Sequence, residues 1–394
     1  MSAAARAEGG VAVGARTLRI PVMGAALAAL LAVAACGAQG GAPAGGLTRA
    51  PAAAPTATSV ASVPSSGQPT LPVSPVVQVK AGVVPIAAFA PFFIAHDLGY
   101  FTELGLDVEL VPNASIVELL PALAQGQLQV GGCTPNVACF NFMNRRTDVQ
   151  IVADLQSAGR TERSRRSVGL VARKDLWDAG TIREPRDLVG RTVYVITGMG
   201  SAPHVHVARW LKQNGVDPRE VEISSLPFPE VYAAMQNRGI EVGYQTEPLL
   251  SAGIQAGVHT LLAGLEDMDP AAQELYVMYW TGIDRLGPQV GERFMVAYLR
   301  AARAYLNAFE YGVDQEAIIG VLVNATPIKD PAVFRTIHYP WVDPNGQVTR
   351  TSLEADAELF RELGLVGPVD LSQAFEDKYR RFAVAYLGEY RPPQ

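Results

Sequence analysis

A chain of 394 residues with 49% hydrophobic and 18% charged residues is long enough to bury large cores and to fold as more than one domain. Its charged fraction of 18% and net charge of −6 give no sign of nucleic-acid binding, and no nucleic-acid partner is expected.

The first 36 residues read as a leader and not as fold. Arg16 and Arg19 form a positive start, and an apolar run follows from Ile20 to Ala35. That run is too short and too rich in small residues for a permanent membrane span. It ends in Val33-Ala34-Ala35-Cys36-Gly37, which resembles the bacterial lipobox. The resemblance implies that Cys36 is lipidated and becomes the new amino terminus; an ordinary secretory signal that contains a cysteine is the alternative. Two acyl chains satisfy the requirement for stable anchoring, so the lipid bilayer is an expected partner through Cys36. Residues 37–75 are nearly all Ala, Gly, Pro, Ser and Thr, with Arg49 as the single charge. Such a stretch offsets little of its ordering entropy by packing and reads as a disordered tether with a reach of about 35 Å.

From Val79 to Leu155 strands alternate with helices. An apolar run, 79–84, stops at Pro85, and a loop leads to a helical pattern at Pro91. A strand (107–111), a helix (115–124), a strand (128–131), a helix (135–145) and a strand (149–153) follow. This alternation predicts βαβ units and a parallel sheet, with ligands beyond the carboxyl ends of the strands. Cys133 and Cys139 match no zinc spacing and read as buried free thiols in preference to a disulfide.

Residues 156–166 turn basic, with Arg160, Arg163, Arg165 and Arg166. A solvated loop explains them more simply than a patch that steers anions. A second alternating region follows. Strands are predicted at 168–171, 192–196, 221–224, 240–243 and 259–262, and helices at 202–214, 229–236 and 249–256. The segment 122–131 matches 234–243 as helix end, turn, strand and glycine, and each then reaches a proline, Pro135 or Pro248. Two lobes of similar build are therefore expected. An aromatic strand at 276–281 returns to the first lobe, a strong amphipathic helix spans 291–309, and the remainder reads as helices covering that lobe.

Several segments, in order, carry a resemblance: Ala90-Pro91-Phe92-Phe93-Ile94-Ala95, Gly99-Tyr100-Phe101, Gly105-Leu106-Asp107-Val108-Glu109, Ala122-Leu123 with Gly126-Gln127-Leu128, residues 187–193, and Glu247-Pro248. The chain resembles the solute-binding proteins of bacterial ABC importers, of the nitrate/sulfonate/taurine and thiamine-precursor type. Where that family usually carries aspartate, this chain has Gln129 and Glu241. The resemblance implies a two-lobed α/β periplasmic-binding-protein fold (type 2-like). Each lobe would be a mainly parallel sheet flanked by helices, and the ligand cleft would lie between lobes that close by hinge motion. Lobe 1 is expected at 76–171 and 263–394, and lobe 2 at 172–262, with crossings near 168–174 and 264–281.

Four strand ends should face the cleft. The first offers Phe89, Pro91 and Phe92 as an apolar, aromatic wall, although one of Phe92 and Phe93 must belong to the core. The second offers Thr134 and Asn136 at a helix start, where simple capping is an equal reading. The third is Thr197, Gly198, Gly200 and Ser201, whose free N–H groups would favour an anion, with His204 one turn inside the helix. Pro203 stands where a dinucleotide fingerprint needs a glycine. His204 and His206 diverge as a metal pair, so no metal and no cofactor are expected. The fourth is Gln245 and Glu247, the latter placed to accept from an amine or a heterocyclic N–H.

No catalytic constellation assembles from the five histidines, and the chain reads as a non-enzyme. The expected role is that of an extracytoplasmic solute-binding component that passes a small organic ligand to an ABC permease. That ligand would be an aminosulfonate, a sulfonate or a heterocyclic vitamin precursor. The protein would be a monomer on the outer face of the cytoplasmic membrane. The alternatives are a pyrimidine-precursor synthase-like enzyme and a ligand-sensing surface lipoprotein.

Overall fold

Strand β1 (Val77–Val83) alternates buried and exposed side chains at its start and is wholly buried from Ala81 on. The change comes where β1, already paired along its length with β2 (Leu106–Pro112), also meets β3 (Val130–Cys133) at Ala81. The computed structural model describes residues 71–113, 115–145 and 148–394. The leader, Cys36 and all but the last five residues of the expected tether lie outside the described residues. Among the described residues no helix is long and apolar enough to cross a membrane.

The chain continues through β4 (Val149–Ser157), β5 (Val168–Arg173), β6 (Thr192–Val195), β7 (Glu222–Ser225), β8 (Val242–Thr246), β9 (His259–Gly264) and β10 (Gln273–Trp280). These form two five-stranded sheets, ordered β2-β1-β3-β10-β4 and β7-β6-β8-β5-β9. The two orders are equivalent, which gives structural form to the internal echo in the sequence.

The expectation of mainly parallel sheets is corrected. In each sheet four strands point the same way and one, β10 or β5, runs antiparallel to both of its neighbours, so that only two of the four strand pairs are parallel. Connectivity explains this. Strands β1, β3 and β4 end at the side from which the chain departs for the other sheet, so a strand returning from that sheet starts there and must run the opposite way. Strand β5 pairs with β8 and β9, so residues 168–171 sit in the second sheet. The chain leaves the first sheet after Ser157, and the crossings are 158–167 and 265–272.

The first core is built on the long helix Val290–Tyr311, whose apolar stripe includes Phe294, Tyr298, Leu299, Ala302, Leu306 and Phe309. The same helix carries the buried Arg293, whose Nη1 donates to Pro72 O (2.9 Å), Leu104 O (3.2 Å) and Gly105 O (3.3 Å). The end of the expected tether is thereby seated on the first lobe. Gly105 has φ +67°, and a Cβ there would stand 2.1 Å from Val73 O, so only glycine permits this approach.

Residues 341–349 are tied to the crossings by Asp154 of β4, which is fully buried. Its Oδ1 accepts from Ser157 Oγ (2.6 Å) and Gln273 Nε2 (3.0 Å), and its Oδ2 accepts from Asp343 N (2.7 Å). Gln273 at the start of β10 also donates to Gln347 O and accepts from Thr349 N. One carboxylate thus fastens the last strand before one crossing, the first strand after the other, and the C-terminal turn.

The expected free thiols form a disulfide instead. Cys133 ends β3, and Cys139 lies in helix Val137–Met143, with Cα atoms 6.7 Å apart. The turn at 134–136, capped by Asn136, doubles the chain back so that the first helical turn meets the strand end. Maleimide labelling in denaturant should leave both thiols unmodified and add two labels after reduction. Full labelling without reductant would contradict the bond.

Candidate ligand cleft

The carboxyl ends of β3 and β6, which belong to different sheets, are in direct contact. Val137 N, at the start of the helix after β3, donates to Gly200 O in the loop after β6 (3.0 Å). Of the two, Gly200 (φ +84°) is the tighter: a Cβ there would lie 2.8 Å from Val137 Cγ2. The lobes are therefore closed on each other at this point.

At the first strand end, the aromatic residues lie inside the lobe. Phe89 and Phe92 are both 0% exposed. Phe92 packs against Phe89, Phe294 and Tyr298 at centroid distances of 5.6, 5.9 and 5.5 Å. Pro91 is buried in the first turn of helix Ala90–Asp97, where its missing N–H costs nothing. At the second, Thr134 is half-buried, and Asn136 Oδ1 caps the helix by accepting from Cys139 N (2.8 Å).

The third end uses its N–H groups internally. Thr197 (φ 59°) and Gly198 (φ 68°) turn the chain. Gly198 N donates to Val195 O, Ser201 N to Gly198 O, and Gly200 N to His204 Nδ1 (2.9 Å). Ser201 Oγ donates to Gly198 O and accepts from His204 N, which caps helix Ala202–Gln213. Burial pushes the His204 imidazole down to about 4, so it is neutral at pH 7. His206, two residues on, faces a different partner, with Nδ1 3.5 Å from Glu274 Oε1.

At the fourth end, Gln245 is fully buried: its Nε2 donates to Phe228 O (2.8 Å), while its Oε1 has no hydrogen-bond partner among the described residues. Glu247 accepts from Ser251 Oγ (2.6 Å), Ser251 N (3.2 Å) and His338 N (3.3 Å), and burial raises its carboxyl above the usual range. Glu247 therefore joins the second lobe to the C-terminal segment.

Sequence reasoning missed the polar side chains between the lobes. Glu274 of β10 accepts from Tyr244 OH (3.1 Å) and Gln156 Nε2 (3.2 Å), and Arg209 contacts both Asp269 and Asp356. These partners are distant in sequence and leave no motif. Among the described residues no group of three or more His, Cys, Asp or Glu is placed to hold a metal ion.

Residues 73–264 match the model of the NMT1-like family. The bicarbonate transport ATP-binding protein CmpC of Synechococcus elongatus is 26% identical over 179 residues, 43% of this chain and 26% of that protein. The taurine-binding periplasmic protein of Escherichia coli is 27% identical over 158 residues, 40% of this chain and 44% of that one. The chain thus spans about a quarter and under half of the lengths of these two relatives. Among solved structures, the alkanesulfonate-binding protein SsuA of Xanthomonas axonopodis pv. citri, bound to MOPS, superimposes with a TM-score of 0.58 at 17% identity, over 78% of this chain and 100% of that one. The described chain carries a periplasmic-binding-protein type 2-like domain that resembles the sulfonate-, nitrate- and taurine-binding components of ABC transporters.

Proposed function

We propose that the protein is the extracytoplasmic solute-binding component of an ABC importer, which captures a small organic ligand between its lobes and hands it to a membrane permease without converting it. The observation that carries this reading is the cross-lobe contact of Val137 with Gly200, made where the strand ends of two equivalently ordered sheets meet across two crossings. Hinge closure about paired crossings traps a ligand and exposes it again on opening. Lipidation of Cys36 holds the domain at the membrane. A Cys36→Ser variant should accumulate as unprocessed precursor and lose lipid labelling, and unchanged maturation would contradict the anchor.

The ligand this cleft suits is a heterocycle or amine with N–H donors, in preference to a purely anionic sulfonate or nitrate. The N–H groups at Gly198, Gly200 and Ser201 are already engaged by the chain, and His204 is neutral. An unpaired acceptor remains in Gln245 Oε1, and the Glu247 carboxylate, which already accepts from Ser251 and His338, has lone-pair capacity for one more donor. None of the strand-end site residues is basic, so a buried anion would lack a counter-charge. The contacts proposed for the ligand are Thr134, Asn136, Thr197, Gln245 and Glu247, with the Gly198–Ser201 loop and His204 shaping the wall. Phe89, Pro91 and Phe92 support the wall from within the core.

Isothermal titration of the full chain against a panel of taurine, an alkanesulfonate, nitrate and an aminopyrimidine tests this. A donor-bearing ligand should bind, and Glu247→Gln should weaken it by about 1.5–3 kcal/mol, the range for hydrogen bonds to a charged group. Tight binding of nitrate, undiminished in Glu247→Gln, would overturn the ligand class.

A further inference from the structure

We propose that helix Arg350–Glu362 is a reversible latch: closure of this protein is a three-body event in which the C-terminal helix docks on both lobes at once. The proposal rests on the hinge-closing reading above and assigns a role to an element outside the family match at 73–264.

The geometry is two-sided. Leu353, Ala357 and Phe360 of this helix belong to the hydrophobic cluster of the first lobe, and so do Val205 and Ala208 from helix Ala202–Gln213 of the second. The Phe360 ring stands 6.0 Å from Phe140 of the first lobe and 6.0 Å from the His204 ring of the second. Polar contacts run along the same seam. Arg209 pairs with the fully buried Asp356, Lys212 Nζ reaches Glu362 Oε2 at 2.5 Å, and Arg219 Nη2 donates to Glu362 O at 2.8 Å. Three cations of the second lobe thus engage two positions about one and two-thirds turns apart on one helix.

The apolar part of the seam is well packed, but its polar part is not fully hydrogen-bonded, as a permanent buried contact would be. His206 Nε2, Tyr276 OH and Asp356 Oδ2 are buried there without hydrogen-bond partners among the described residues, and His206 Nδ1 makes only the 3.5 Å contact to Glu274 Oε1. Asp356 lies in the field of Arg209 and His206, and Tyr276 in that of Asp356 and Arg209, so these groups share one neighbourhood. Each costs desolvation in the closed form and is repaid by water in the open one. The seam is held by specific ion pairs yet penalised by its orphaned groups, which is the balance a releasable contact needs.

Hydrogen exchange on the full chain tests the latch without any ligand. Arg209→Asp and Asp356→Arg should each raise exchange in helices Ala202–Gln213 and Arg350–Glu362 by about tenfold or more, while the amides of β1, β3, β6 and β8 stay protected. Combining the two substitutions should restore part of the protection in both helices, because Asp269, the other partner of Arg209, gains no cation in the double variant. Folded single variants with unchanged exchange, or a rise spread equally over the sheets, would overturn the proposal. If either buried variant does not fold, Lys212→Glu and Glu362→Lys carry the test at an exposed pair. A rise confined to the two helices and reversed in the double variant supports the latch, and no rise overturns it. Since no ligand enters these readings, failure to bind any solute would sink the import function and leave the latch result intact.

Discussion

Replacing Asp154 with alanine is expected to destabilise the protein by about 3–5 kcal/mol, because three buried donors lose their acceptor together and each orphaned group costs about 1–3 kcal/mol, not fully additively. The donors are Ser157 Oγ, Gln273 Nε2 and Asp343 N. Denaturant unfolding of the full chain measures the loss, and a loss under 1 kcal/mol would contradict the role of this carboxylate as a fastener. Asp154→Asn keeps the shape and isolates the charge. Burial holds the Asp154 carboxyl up at about 7, against the hydrogen bonds from Ser157 and Asp343 that favour its ionised form. The folded chain therefore keeps a proton there that the unfolded chain releases above its ordinary value of 3.8. The stability this proton contributes is full below pH 3.8 and is lost as pH rises toward 7, by up to about 1.4 kcal/mol per unit. His204 acts in the opposite sense. The unfolded chain protonates it below 6.5 and the folded chain only near 4, so stability is lost as pH falls through that window. The two slopes offset one another in the wild type between about pH 4 and 6.5, and the difference between wild type and Asp154→Asn separates them. The variant should gain on the wild type steadily as pH rises from 4 to 7, and a difference that does not change with pH would contradict a carboxyl titrating near 7.

Gly200→Val should leave both lobes folded and disable their closure. The position has φ +84°, which strains any β-branched residue by about 1–3 kcal/mol, and its new Cβ would meet Val137 Cγ2 of the other lobe. If that cost falls on the closed form, ligand affinity drops by roughly 5- to 150-fold. Adding Val137→Ala removes the steric part and should recover some of the affinity, while the backbone part remains. Titration of the single and double variants with the ligand identified for the wild type reads both components. Unchanged affinity in a folded Gly200→Val protein would mean that this contact does not form when the ligand is bound.

Much of the fold was legible because it is local. Strand and helix positions followed from the alternation in 79–155 and 192–262, and the stripe of the long helix was plain from Phe294 to Phe309. Strand direction was not legible, because β5 and β10 take their direction from where the chain returns, which no local pattern encodes. Phe92 illustrates a similar limit at the site. Its type suited a ligand wall, but the helix phase that turns it onto Phe294 and Tyr298 depends on a helix two hundred residues away in the chain. The largest omissions were the longest-range pairs. Arg209 and Asp356 are 147 residues apart, and Asp154 and Asp343 are 189 apart, so neither pair shares a periodicity or a motif. The pairing of Cys133 with Cys139 is not legible even at short range, because the turn between them, not their spacing, decides whether the sulfurs meet.

In the proposed function the two lobes close on one small molecule and release it unchanged. Equilibrium dialysis of the full chain against the solute panel, with mass spectrometry of both the bound and the free fractions, tests it most directly. One equivalent of a donor-bearing solute should be bound per chain, recovered at its original mass and lost in Gly200→Val. Recovery of a product mass, or binding that survives that substitution at full strength, would contradict it.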